Sequence, residues 1–172
     1  MERTFTIRPA TPGDFQALGR LMVDTYAALE GFFKPHEAPE YFAMLANIGD
    51  LTRKPGTELW VAAEEDGLLG GVVYFSDMAQ YGSAGAATRE DNASGFRLLA
   101  VAQNARGRGV GRALMEACID RAVAVGHRQM IIHTTEAMKT AWEMYVRRGF
   151  QRSEDLDFQQ GPIRIYGFRL AW

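Results

Sequence analysis

"NARGRGVGRALM", Asn104 to Met115, packs three arginines and three glycines into the seven residues Arg106 to Arg112, then runs into apolar residues. Glycine weakens a helix and neighbouring cations repel, so helix formation alone does not account for this composition. The stretch follows "SGFRLLAV", Ser94 to Val101, which reads as a buried strand. After it, Val110, Leu114, Ala117, Cys118, Ala122 and Val125 form one helical stripe, with Arg112, Glu116 and Asp120 elsewhere on the wheel. A strand, a glycine-rich turn and a helix in that order expose unpaired backbone N–H groups at the positive end of a helix dipole. Glycines let an anion touch the backbone and the arginines add charge, so the pattern fits a phosphate cradle. Two familiar cradles fail on spacing. No lysine–hydroxyl pair completes a nucleoside-triphosphate loop, and Arg112 stands where the dinucleotide fingerprint needs its last glycine.

Outward from this centre the chain alternates strands and helices. "FTIRPA" predicts a strand over Phe5 to Pro9. Thr11-Pro12-Gly13-Asp14 predicts a helix start, with Thr11 as N-cap and Asp14 reaching back to it. Phe15, Leu18, Met22, Tyr26 and Leu29 then follow at helical spacing, and a second helix starts near Pro39 with Tyr41, Leu45 and Ile48 on one face. "ELWVAAEEDGLLGGVVYFS" predicts a hairpin turning at Asp66-Gly67. "DMAQYGSAGAATREDN", Asp77 to Asn92, is small and polar and reads as a long mobile loop. "QMIIHT" is a strand, Thr135 a cap for a helix through Arg148, and Gly149 its C′ residue. Two closing strands, about 150–158 and 163–170, pair around "QQGP". The order β-α-α-β-β-β-α-β-α-β-β implies a single α/β domain over residues 1–172, a mixed central sheet flanked by helices.

Composition narrows the function. A net charge of -2 gives no global field toward nucleic acid or an anionic membrane, so neither is expected as a partner. A lone cysteine, Cys118, excludes an intrachain disulfide and makes a cytoplasmic location the expectation. Three scattered histidines show no zinc spacing, so no metal is expected. No apolar run reaches membrane-spanning length, and "MERTFTIRPA" has no signal-like stretch.

Arg106-Gly107-Arg108-Gly109-Val110-Gly111 matches [QR]-x-x-G-x-[GA]. This resembles the acyl-CoA signature of the GCN5-related N-acetyltransferase (GNAT) family. "MKTAWEMYVRRGF" resembles that family's second signature, with Ala141, Tyr145, Gly149 and Phe150 at the matching positions. The close match covers about residues 94–150, and the element order agrees beyond it. The resemblance implies a V-shaped gap between the strands at 94–101 and 129–134 that holds acetyl-CoA as co-substrate. It implies a backbone wall at Leu99, Ala100 and Val101 for pantetheine, with Leu99 and Val101 bonding the arm. The stretch Arg106, Gly107, Arg108, Gly109, Val110, Gly111 and Arg112 would take the pyrophosphate, with Met138, Ala141 and Tyr145 against the thioester end. Tyr145 is the implied catalytic residue.

The chemistry needs a neutral amine, an oxyanion donor and a protonated leaving thiolate. Deprotonating a lysine-like amine at pH 7 costs about 4.6 kcal/mol. A tyrosine of ordinary pKa protonates a thiolate uphill by about 2 kcal/mol, so Tyr145 acts as a strong hydrogen-bond donor or has a lowered pKa. Many relatives carry a strand glutamate as base, but Ser94-Gly95-Phe96-Arg97 has no carboxylate; either Glu90, Asp91 or Glu136 substitutes, or the acceptor amine arrives with a low pKa. Met138 stands where relatives often have Asn, which replaces a hydrogen bond by apolar contact. Phe32, Phe33, Tyr74, Arg97 and His133 are acceptor-site candidates. Core packing is the alternative for Tyr74 and the Phe pair, a structural hydrogen bond for His133, and a salt bridge for Arg97. The implied activity is acetyl transfer to a small-molecule or peptide amine. A non-catalytic CoA-binding regulator and a longer-chain acyltransferase stay open, as does a homodimer through the closing strands.

Overall fold

The computed structural model describes residues 4–172; the first three residues of the expected domain lie outside them. The strands are β1 (Thr6–Pro9), β2 (Thr57–Glu64), β3 (Gly67–Phe75), β4 (Ala93–Val101), β5 (Gln129–Thr134), β6 (Gln151–Arg152), β7 (Phe158–Gln160) and β8 (Ile163–Ala171). The α-helices are α1 (Phe15–Ala27), α2 (Pro39–Ala46), α3 (Val110–Ala124) and α4 (Lys139–Arg148). The sheet runs β1-β2-β3-β4-β5-β8-β6, with β7 paired to β8. Only β4 and β5 pair in parallel; the other neighbours are antiparallel.

Each sheet face carries its own apolar core. Val72, Phe96, Val110, Leu114, Cys118, Met130, Ile132 and Tyr145 fill the face under α3 and α4. Leu18, Met22, Leu45, Val61, Val73, Phe75, Leu98 and Ile131 fill the face under α1 and α2. Two adjacent glycines on β3 set how closely the helices approach. A Cβ on Gly70 would stand 2.6 Å from the Ala100 carbonyl and 3.1 Å from Val110 at the start of α3. A Cβ on Gly71 would collide with Leu18 of α1. Alternation along the strand sends the two positions to opposite faces.

The helix start at Thr11 forms: the Asp14 carboxylate accepts the Thr11 backbone N–H at 2.8 Å and also holds Arg8 at 2.7 Å. Elsewhere the structure departs from the sequence pattern. The hairpin turn is Glu65-Asp66, since Glu64 pairs with Gly67, which enters β3 at φ 138°. Residues 77–92 are not an open loop. Two short 3-10 turns fold them back, and Met78, Tyr81 and Ala87 are buried. The α2 face that packs is Phe42 and Leu45, and Ile48 is buried from the 3-10 turn that follows. Ala117 is only partly buried and Val125 is exposed, because Ala113, Met115 and Ile119 complete the α3 stripe instead. Thr135 does not cap α4, which begins four residues later; its Oγ1 is buried without a hydrogen-bond partner. The first closing strand is broken into β6 and β7 by a turn at Glu154–Leu156. Gly149 ends α4 in the left-handed region at φ 112°, as its position implies.

Gly19 on α1 has no space for a side chain, because its Cβ would strike the Ala46 carbonyl at the end of α2. The α1–α2 contact therefore depends on bare backbone. Gly19→Ala should destabilise the fold by about 2 kcal/mol, read as a lowered urea midpoint, despite its better helix propensity.

Candidate active site

β4 and β5 pair only through Ala93–Gln129, Ser94–Met130 and Gly95–Ile131, and then separate. The cause lies on the other edge of β4. Val73 opposes Arg97 and Gly71 opposes Ala100, so Leu98 and Leu99 together face Val72 alone. Leu98 absorbs the extra residue in the left-handed region at φ 60°. Such a bulge bends its strand, here away from β5. The Ala102 N–H donates to Leu69 on β3 at 2.8 Å. Alternation then gives the polar groups of Ala100 to β3 as well and turns those of Leu99 and Val101 into the gap. One of them is already used: the Tyr26 hydroxyl on α1 donates to the Leu99 carbonyl at 3.2 Å.

The glycine–arginine turn closes one end of this gap. Gly107 and Gly109 lie at φ 78° and 82°, and a Cβ on either would meet nothing within 4 Å. Gly109 is the N-cap of α3, and no side chain caps the helix. The first helical bond runs from the Ala113 N–H to the Gly109 carbonyl at 3.0 Å. The N–H groups of Val110, Gly111 and Arg112 therefore have no intrahelical partner. The Arg106 N–H differs, with a 3.4 Å bond to the Gln103 carbonyl. The three arginines are not equivalent either. Arg108 turns outward to Glu64 at 3.0 Å and to the Thr4 hydroxyl at 2.7 Å. Arg106 and Arg112 are exposed and, among the described residues, make no ion pair. The result is an open, uncapped helix start with two free guanidinium groups, which can hold an anion.

Tyr145 projects from α4 into the core beneath the gap, 4% exposed, with its ring 5.8 Å from Phe96 and 5.7 Å from Phe150. Burial pushes its phenol well above the ordinary tyrosine value, and Tyr81 adds to the shift. The shift runs opposite to the lowered-pKa alternative, and the phenol is protonated at neutral pH. Tyr26 belongs to the core on the opposite sheet face, and its hydroxyl reaches the gap at the Leu99 carbonyl. Ala141 packs partly buried beside Tyr145, whereas Met138 belongs to the core under α1 and α2.

The remaining candidates divide between the two sheet faces, Tyr74 lying under α3 and α4. Tyr74 leaves the set: it is fully buried, with its hydroxyl 2.7 Å from Ser94 Oγ, which in turn lies 2.8 Å from His127 Nδ1. Both His133 nitrogens are engaged as well. Nε2 donates to the Leu156 carbonyl at 2.8 Å, so Nδ1 accepts from the Tyr81 hydroxyl at 2.9 Å. Tyr81 was not legible as a site residue, yet it closes the strand. A Cβ on Gly95 would stand 2.8 Å from its ring, so no side chain fits there. Phe32 packs between Tyr26 and Tyr41, with ring centroids 5.8 Å from each. Phe33 reaches the β7–β8 turn at Gly161. Neither lines the cleft of about 160 Å³ that Gly31, Thr135, Glu136, Pro162, Arg164 and Tyr166 border. Among the proposed bases, Glu90 is paired with Arg169 at 2.7 Å, while Glu136 on the cleft rim accepts the Tyr166 hydroxyl at 2.9 Å. The buried hydroxyls of Thr134 and Thr135, at the far end of β5, have no partner. No group of metal-binding side chains occurs among the described residues.

Burial lowers the pKa of His133 below its ordinary value. The unfolded chain then binds the extra proton first, so stability is full above about pH 6.5 and falls as the pH drops through that value. Unfolding free energies from urea titrations should decline from pH 8 to pH 5 with a contribution from this group of at most about 1.4 kcal/mol per unit, and His133→Gln should flatten that part of the curve.

Known proteins fit this geometry. A GCN5-related N-acetyltransferase from Kribbella flavida shares 22% identity with a TM-score of 0.72, covering 98% of each chain. The PaiA N-acetyltransferase of Thermoplasma acidophilum, solved with coenzyme A, shares 11% at a TM-score of 0.75 over 98% of this chain and 99% of that one. YncA of Salmonella typhimurium, solved with acetyl-CoA, shares 16% at 0.67 over 98% and 94%. At these identities the likeness speaks for the fold. No curated protein matches the chain significantly in sequence. No helix of the described residues is long and apolar enough to cross a membrane. The model of the acetyltransferase (GNAT) family matches residues 21–150, which include the gap, the glycine–arginine turn and Tyr145, and the chain belongs to that family.

Proposed function

We propose that the chain transfers an acetyl group from acetyl-CoA to an amine acceptor by direct attack. The observation that carries this is the parting of β4 from β5 beside an uncapped, unobstructed helix start. The residues present fit the co-substrate, which would supply the activated acyl carbon and a thiolate leaving group. The N–H groups of Val110, Gly111 and Arg112 bind its diphosphate, with Arg106 and Arg112 balancing the charge. The Leu99 N–H and both polar groups of Val101 are free for the amides of its arm, the Leu99 carbonyl being held by Tyr26. Tyr145 donates a hydrogen bond toward the departing sulfur rather than a whole proton, as its raised pKa requires.

The acceptor's proton has no strand carboxylate to go to, since Tyr81 seals Gly95. Glu136, at the rim of the cleft, is the carboxylate that takes it, directly or through water. The sealed strand also favours a second reading, a CoA-binding regulator without turnover. Thiol release from acetyl-CoA with an amine panel separates the two, because only the enzyme releases CoA in step with acceptor.

Tyr145→Phe should lower kcat by about a hundredfold while leaving CoA affinity within about twofold. Wild-type turnover would reduce Tyr145 to a packing residue. Gly109→Glu, which sets a carboxylate in the open cradle, should abolish CoA binding by calorimetry in protein whose circular dichroism is unchanged. Retained affinity would remove the diphosphate assignment.

A further inference from the structure

We infer that Arg97 binds a carboxylate of the acceptor, so that the substrate is a small amino acid or a derivative with a free carboxylate, not an uncharged amine or a peptide N-terminus. This rests on the acetyltransferase reading above and adds the acceptor's class to it.

The argument begins with the arginines. Arg8, Arg108, Arg121, Arg148, Arg152, Arg164 and Arg169 each hold an Asp or Glu within the protein. Most of the remainder are exposed to solvent. Arg97 is neither. Its residue is partly buried, and among the described residues no carboxylate lies within ion-pairing distance. One Nη1 hydrogen bond to the Tyr81 carbonyl at 2.9 Å fixes it, with the guanidinium carbon 5.7 Å from the Tyr81 ring centre. The rest of the fork is left for another acceptor. A partly buried cation without a counter-charge is costly, and an anionic ligand removes that cost.

The surroundings admit one negative charge and contain none to spare. Arg97 acts on Tyr26, Tyr41, Tyr81 and His133. Burial keeps all three phenols protonated, Tyr41 up to about 12, and it disfavours the charged imidazole. Asp157, an acid that acts on His133, is already held by Arg152, Arg164 and the Gly167 N–H. Position agrees with charge. Arg97 lies two residues past Gly95, the last partner of β5 in the ladder, immediately precedes the left-handed Leu98, and bonds Tyr81 of the α1–α2 face. Thr135, one residue beyond the end of β5, has a buried hydroxyl without a hydrogen-bond partner. A planar fork suits a carboxylate bidentately. Thr135 also borders the cleft of about 160 Å³, a size that suits a small acceptor.

The test compares CoA release with free amino acids, their C-terminal amides, the matching amines, aminophosphonates, and short peptides. Free acids should exceed their amides in kcat/KM by about tenfold or more, mainly through KM. Arg97→Gln should collapse that ratio toward one, and Arg97→Lys should recover part of it, with acetyl-CoA affinity by calorimetry unchanged in both. Equal use of acids and amides by the wild-type protein overturns the proposal, as does preference for peptides or for aminophosphonates. So does loss of acetyl-CoA affinity in Arg97→Gln, which would assign the arginine to the co-substrate. A wild-type protein that binds acetyl-CoA but acetylates none of the free acids overturns it too. Failure to bind acetyl-CoA at all would instead overturn the acetyltransferase reading.

Discussion

A backbone that has made its hydrogen bonds on one edge only must find partners elsewhere or face water. That constraint organises this molecule. The extra residue at Leu98–Leu99 bends β4, the parallel ladder stops after Gly95–Ile131, and the polar groups of Leu99 and Val101 are left facing a gap in the middle of the sheet. An interior defect of this kind persists because both faces around it are well packed, with Leu98 in one core and Phe96 in the other. The glycine–arginine turn and Tyr145 acquire their meaning from standing beside that opening. On a continuous sheet they would be a surface turn and a core tyrosine.

The two faces of the gap differ in character. Beneath α3 and α4 the neighbourhood is apolar, with Phe96, Phe150 and Tyr145 in edge or tilted ring contacts. Beneath α1 and α2 it is a set of neutral hydroxyls around one guanidinium. Tyr81 ties that set together. Its ring covers Gly95, its hydroxyl meets His133 across the gap, and its carbonyl fixes Arg97. A segment between β3 and β4 thus substitutes packing for the acid that the strand lacks.

Much of the fold was legible because its signals are local. Asp14 behind Thr11, Gly149 after Arg148 and the glycines at 107 and 109 act through conformations set within a few residues, and each appears where the sequence puts it. The gap was legible only through resemblance: nothing in "RLLAV" announces that Leu98 takes a left-handed conformation. Partnerships across distant segments were also hidden. Arg108 looked the same as Arg106 and Arg112 until Glu64 came beside it, and His133 looked free until Tyr81 and Leu156 took its two nitrogens. Residues 77–92 misled because small polar residues suit a loop equally whether it is loose or folded back. The lone Tyr81 among them was the available hint. For Arg97 the sequence left two readings in balance, and among the described residues no carboxylate forms the salt bridge that one of them required.

The adjacent glycines of β3 carry a consequence for how such a site diversifies. Bulk added at Gly70 would lift the helix that begins at the glycine–arginine turn; bulk added at Gly71 would lift the helix that carries Tyr26. Neighbours in the chain, they act as two independent set-screws, one for the helix start at the open turn and one for the opposite face of the gap.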